Sequence, residues 1–260
     1  MVDLTRQPLP SGDQPVKTRR YSTLTPQPQS TRLPPPAVLD APDAPPLAEP
    51  LRPLLRGWFH LVAFVISVPA GMLVVASASS TRARTAAIVY AIALSALFAV
   101  SATYHRRVWT AAGRRRMRRA DHGTIFIMIA GCYTPLCLLA LRGPTSGVLL
   151  VGAWMGAAIG LGLAISGWAE KRVLGLACYI GLGWILVFAL PQLAQELSGA
   201  GLILLVAGGV TYTLGAVVLG LNWPDPFPRV FGYHEVWHVL VIVACVCHYL
   251  MIFSVVHRSP

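Results

Sequence analysis

GYHEVWHVLVIVACVCHYLMIFSV (residues 232–255) carries the ambiguity that decides the fold. Its head fits the His-Glu-x-x-His pattern of zinc peptidases, in which two imidazoles four residues apart hold one metal ion from one face of a helix. Its remainder is an apolar run of the length a helix needs to cross a bilayer, roughly 20 residues. A peptidase of that kind commonly takes its third ligand from downstream. No acidic residue follows His238, and His248 lies about 15 Å further along the same helix, too far to share the ion. The stretch is therefore read as a membrane span with a pair of metal ligands at its head, and the third ligand is sought upstream.

The rest of the chain favours the span. Of 260 residues, 55% are hydrophobic and only 12% are charged, against about a quarter in soluble domains, and the mean hydropathy is +0.61. Seven apolar segments follow one another at 57–78, 85–106, 122–141, 146–167, 173–191, 200–221 and 233–255, the fifth being the shortest. Only structures that close their own backbone hydrogen bonds survive in lipid, so these segments are helices. The expected fold is an all-α membrane protein, a bundle of seven transmembrane helices.

The basic residues give the orientation. Arg106, Arg107, Arg114, Arg115, Arg116, Arg118 and Arg119 separate the second and third spans. Arg52 and Arg56 precede the first, Lys171 and Arg172 separate the fourth and fifth, and Arg229 precedes the seventh. The alternate loops hold only Arg82, Arg84 and Arg142, and Arg258 ends the chain. The positive-inside rule places the N-terminus in the cytosol and the C-terminus outside, with Trp58, Trp109, Trp223 and Trp237 at the cytosolic interface. Topology thus accounts for the net charge of +11, and no nucleic-acid partner is expected.

Residues 1–51 form a Pro-, Ser- and Gln-rich tail, including Pro34-Pro35-Pro36, that cannot bury enough apolar surface to order itself. The chain thus divides into a disordered cytosolic tail, 1–51, and a transmembrane domain, 52–260. Cys132, Cys137, Cys178, Cys245 and Cys247 all lie in apolar runs and are expected as buried thiols, not a disulfide framework. Gly152, Gly156 and Gly160 form a small-residue ridge suited to close packing within the bundle, and Pro69 and Pro135 are expected to kink their spans.

Ionisable residues within membrane boundaries are costly and mark function. Ser101 and His105 share a face at the end of the second span, Asp121 opens the third, and His234 and His238 open the seventh. All converge at one end of the bundle. Three imidazoles with an open fourth position describe a catalytic zinc site. The ion's charge would favour a neighbouring carboxylate as an anion, and a bound water's pKa would fall to roughly 7. Asp121 is then the group that handles the proton and Ser101 the one that holds a carbonyl oxygen. Glu235 is a weaker base, His122 a substitute ligand, and His60, His248 and His257 are read as interfacial histidines bonded to carbonyls.

Ser-Ala-Thr-Tyr-His (101–105), Asp-His-Gly-Thr-Ile-Phe (121–126), Gly-Cys-Tyr-Thr-Pro (131–135) and Gly-Tyr-His-Glu-Val-Trp-His (232–238) resemble, in this order, the haemolysin III family. That family is a bacterial branch of the progestin and adiponectin receptor (PAQR) proteins, in the superfamily that includes alkaline ceramidases. The resemblance covers residues 52–256 and implies a seven-helix bundle with zinc on His105, His234 and His238, Asp121 near the bound water and Ser101 alongside. Many members carry acidic or Asn residues just before the first-span His, where this chain has Leu55-Arg56-Gly57-Trp58-Phe59 before His60. The role of that acidic group does not transfer, and His60 keeps at most a supporting one.

The reading is a multi-pass protein of the bacterial plasma membrane with Zn2+ and membrane lipid as its partners. It hydrolyses a lipid amide or ester, with a place in lipid homeostasis. The alternatives are a lipid-sensing regulator with structural zinc, which would need neither Asp121 nor Ser101, a cytolysin, and an intramembrane protease.

Overall fold

A computed structural model of the chain describes residues 53–168 and 171–259; the tail expected over 1–51 lies outside the described residues. The apolar runs form helices α1 (Trp58–Ala76), α2 (Thr81–Arg106), α3 (Ala111–Pro135), α4 (Gly143–Ser166), α5 (Arg172–Trp184), α6 (Leu190–Glu196), α7 (Gly199–Leu221) and α8 (Tyr233–Arg258). A π-helical turn, Leu136–Ala140, continues α3, and a 3-10 segment, Ile185–Ala189, joins α5 to α6. The result is seven spans long and apolar enough to cross a membrane among the described residues. The chain is a multi-pass membrane protein, all-α as expected.

Polar side chains start the helices where the run itself cannot. Ser80, Thr110 and Ser198 each accept the N–H three residues on, from Ala83, Gly113 and Gly201, satisfying donors that an α-helix leaves open. Thr110 marks the main departure from the sequence reading. It starts α3 eleven residues before the expected span, so Arg114 to Arg119 belong to a helix and not to a loop. Arg is a good helix former, and polarity alone does not end a helix.

Helix α3 is the hub. Most of its span is buried, whereas α1, α4 and α7 bury less than about a third of theirs. Its neighbours α2 and α4 approach closely because glycine removes the side chain at the crossing: a Cβ on Gly131 would lie 2.5 Å from that of Ala93, and one on Gly160 2.3 Å from the Phe126 ring. Gly156 meets Leu182 in the same way, while Gly152 meets nothing. Two members of the glycine ridge thus pack within the bundle. Outward-facing Val65, Ile66, Met72, Ile159 and Phe188 are exposed, as lipid contact allows.

The prolines behave differently. The α-helix runs unbroken past Pro69, whereas Pro135 is followed by the π turn, and the Ser146 hydroxyl donates to the Cys137 carbonyl there. The fifth span breaks for another reason. The Tyr133 hydroxyl enters from α3, lies 2.9 Å from the Leu182 carbonyl and 3.0 Å from that of Gly183, and accepts the Leu186 N–H at 2.9 Å. A side chain inserted into the ladder breaks a helix, and in lipid the freed groups must find such a partner. Tyr133→Phe leaves them without one, and the expected loss is about 1–3 kcal/mol of unfolding free energy. Equilibrium unfolding in mixed micelles measures it; an unchanged midpoint would show that the hydroxyl is replaceable. All five cysteines are free thiols.

Candidate metal centre

The last turn of α2 and the first of α8 meet at one end of the bundle. Ser101 and His105, four residues apart, point from one face of α2, and both are buried. His234 and His238 stand on one face of α8, His238 with no exposed surface. One ring nitrogen from each of His105, His234 and His238 lies within 4.8 Å of the others, so residues 129 apart in sequence share one site. His122, the substitute ligand, is outside this group.

The fit to a metal ion can be tested on the geometry. With metal–nitrogen bonds of about 2.0–2.1 Å, the ligand nitrogens of a tetrahedral site stand about 3.3 Å apart. Nε2 of His105 and Nε2 of His234 are separated by 3.3 Å. Both ring nitrogens of His238 are buried and meet no hydrogen-bonding partner among the described residues, which is costly unless another group takes the lone pair. A neutral, all-imidazole donor set suits zinc and its neighbours among the transition metals. The three histidines can hold a metal ion.

Asp121 lies ten residues inside α3, because that helix begins early, yet its depth matches the cluster: Oδ2 is 3.9 Å from His105 Nε2. Its hydrogen-bonding neighbour is the Ser101 side chain. Asp121 is almost wholly buried, with 6% of the residue's surface exposed. All five residues singled out from the sequence are therefore brought together.

Two other histidines are read from the sequence as interfacial and bonded to carbonyls. His60 is buried and stacks on His238, ring centroids 3.8 Å apart and planes 15° from parallel. His248 does face a carbonyl, that of Leu205 at 3.2 Å, but in the middle of α8. Glu235 turns away from the role of base. Its Oε2 accepts the Gly232 N–H at 2.9 Å, and its Oε1 is paired with Arg56. Asp225 accepts the Tyr233 N–H at 2.8 Å, so two carboxylates cap α8 where the helix dipole favours negative charge. Sequence reasoning assigned Arg56 to topology alone. The one signal available was that Glu235 is a lone acidic group in a span and needs a cation.

A seven-span membrane protein with a buried histidine cluster at the ends of its second and seventh spans is the class the fold and site define. The family model described as "Haemolysin-III related" matches residues 49–249, and the chain belongs to that family. It is 31% identical over 189 residues to Hemolysin-3 of Bacillus cereus, covering 70% of this chain and 82% of the relative. It is 35% identical to the Hemolysin-3 homolog of Bacillus subtilis over 123 residues, 47% of this chain and 54% of the relative. It is also 28% identical to the human monocyte to macrophage differentiation factor over 176 residues, 66% and 71% of the two chains.

Proposed function

We propose that this protein is a metal-dependent hydrolase that cleaves an amide or ester bond of a membrane lipid. One observation carries the reading. An apolar cavity, open on one side, runs between α3, α5, α7 and α8, lined by residues such as Ile125, Ile129, Leu176 and Leu205. Ser101, Asp121 and His60 also line it. A chain-like apolar substrate in that space would present a carbonyl to the end where Ser101 and Asp121 stand.

His105, His234 and His238 are the proposed zinc ligands. Zinc bound there would act as a Lewis acid, polarising the carbonyl and lowering the pKa of water. The Asp121 carboxylate, beside His105, would take a proton at Oδ2 and return it to the leaving group. The Ser101 hydroxyl would donate to the carbonyl oxygen as charge develops on it. The apolar walls would exclude bulk water and admit the lipid sideways, between helices. The arginines of α2 and α3 at this end support a cytosolic site, with the N-terminus inside, in the plasma membrane of a bacterium.

Two relatives carry the name hemolysin, which makes lysis of erythrocytes the second activity to assay; the third relative is named as a differentiation factor, which suits a sensor. Treating purified protein with a chelator is expected to abolish release of product from fluorogenic lipid amides or esters, and stoichiometric zinc to restore it. Turnover that survives complete removal of metal would sink the hydrolase reading.

A further inference from the structure

Apart from the histidine rings that meet between them, the backbones of α2 and α8 approach each other at few points. Seven consecutive residues, 54–60, connect them instead. The Leu54 and Leu55 N–H groups donate to the carbonyls of Arg229 (3.1 Å) and Val230 (3.2 Å), in the loop that leads into α8. Arg56 Nε donates to Glu235 Oε1, and Glu235 also holds the Gly232 N–H, so the ion pair grips the first turn of α8 on either side of His234. Glu235 is wholly buried, so breaking that pair would strand a charge.

The same segment grips α2. Gly57 adopts φ +79, a left-handed conformation that glycine takes without steric cost. Its backbone presses so closely on α2 that an added Cβ would sit 2.7 Å from the Cβ of His105 and 3.0 Å from Cγ of Arg106. The Arg106 guanidinium covers the Trp58 ring, 3.6 Å from its centroid. Phe59 packs edge-on against Phe231, 5.7 Å between centroids, and His60 stacks on His238. Each residue from 54 to 60 thus touches α2, α8 or the loop before α8, and none of them belongs to the histidine cluster.

We propose that residues 54–60 are a clasp that sets the separation of His105 from His234 and His238, and that Glu235 is the positioning residue that anchors it. The inference rests on the metal-site reading above. Groups that orient ligands from outside the ligand set commonly change metal affinity 10- to 100-fold when removed; Gly57 stands in that relation to His105, the Arg56–Glu235 pair to the turn that carries His234, and His60 to His238.

The test is a cobalt(II) titration of the full-length protein in detergent, following the visible absorption bands that report coordination geometry. Glu235→Gln keeps the shape of the side chain and the Gly232 bond but removes the charge. It is expected to weaken cobalt binding at least about 10-fold and to change the bands. Arg56→Ala should do the same, Arg56→Lys should recover most of the loss, and Gly57→Ala should alter the bands through His105. If Gly57→Ala does not fold, the Arg56 and Glu235 variants decide the question. Wild-type affinity and bands in both Glu235→Gln and Arg56→Ala would overturn the clasp while leaving the metal site standing. Wild-type protein that binds no cobalt would instead remove the metal reading, and the clasp with it.

Discussion

His234→Ala/His238→Ala is expected to take bound metal from about one ion per chain to close to none, measured by mass spectrometry on protein purified without chelators. The two substitutions remove two of three nitrogens and leave His105 alone, and a single imidazole does not hold zinc against water. The control is His248→Ala, on the same helix but outside the cluster. It should retain the metal. Wild-type protein without metal, or a double variant that keeps it, would reduce the cluster to packed aromatic rings.

Asp121→Asn is expected to lower turnover of a lipid amide or ester by about 10²- to 10⁴-fold, the usual contribution of a positioned proton-transfer group, with metal content unchanged. The amide matches the carboxylate in shape but cannot accept the proton, and Asp121 is not one of the three clustered ligands. Retained metal with lost turnover separates chemistry from folding. If the variant turns over as fast as wild type, Asp121 is not the proton carrier and the structural-metal sensor becomes the better reading. The comparison belongs beside an erythrocyte lysis assay, since a cytolysin would not depend on this carboxylate.

Much of this site was legible in one dimension. The spacing of four in Ser101/His105 and in His234/His238 fixes a shared face on any helix, and the alternation of spans places both pairs at one end of the bundle. What spacing could not supply was the lateral arrangement of helices, which brings Nε2 of His105 to 3.3 Å from that of His234. The start of α3 was misplaced because a hydropathy boundary is not a helix boundary: Thr110 caps the helix while Arg114 to Arg119 still read as loop. The break in the fifth span depends on a hydroxyl from α3, and the fate of Glu235 on Arg56, 179 residues away. Long-range partners of single polar groups leave no periodic trace.

The depth of the cluster has a consequence for any lipid handled there. His105 is one residue from the end of α2 and His234 is the second residue of α8, so with these helices crossing a bilayer the imidazoles would sit near the level where hydrocarbon gives way to water. In a bilayer the amide and ester linkages lie at that same level, between the polar head and the tails. A lipid approaching along the membrane plane would already carry its scissile bond at the height of Asp121, with its tail at the height of the apolar cavity. On the proposed reading, the protein has no need to lift its substrate out of the bilayer or to flip it between leaflets, and the work of alignment is shared with the membrane itself.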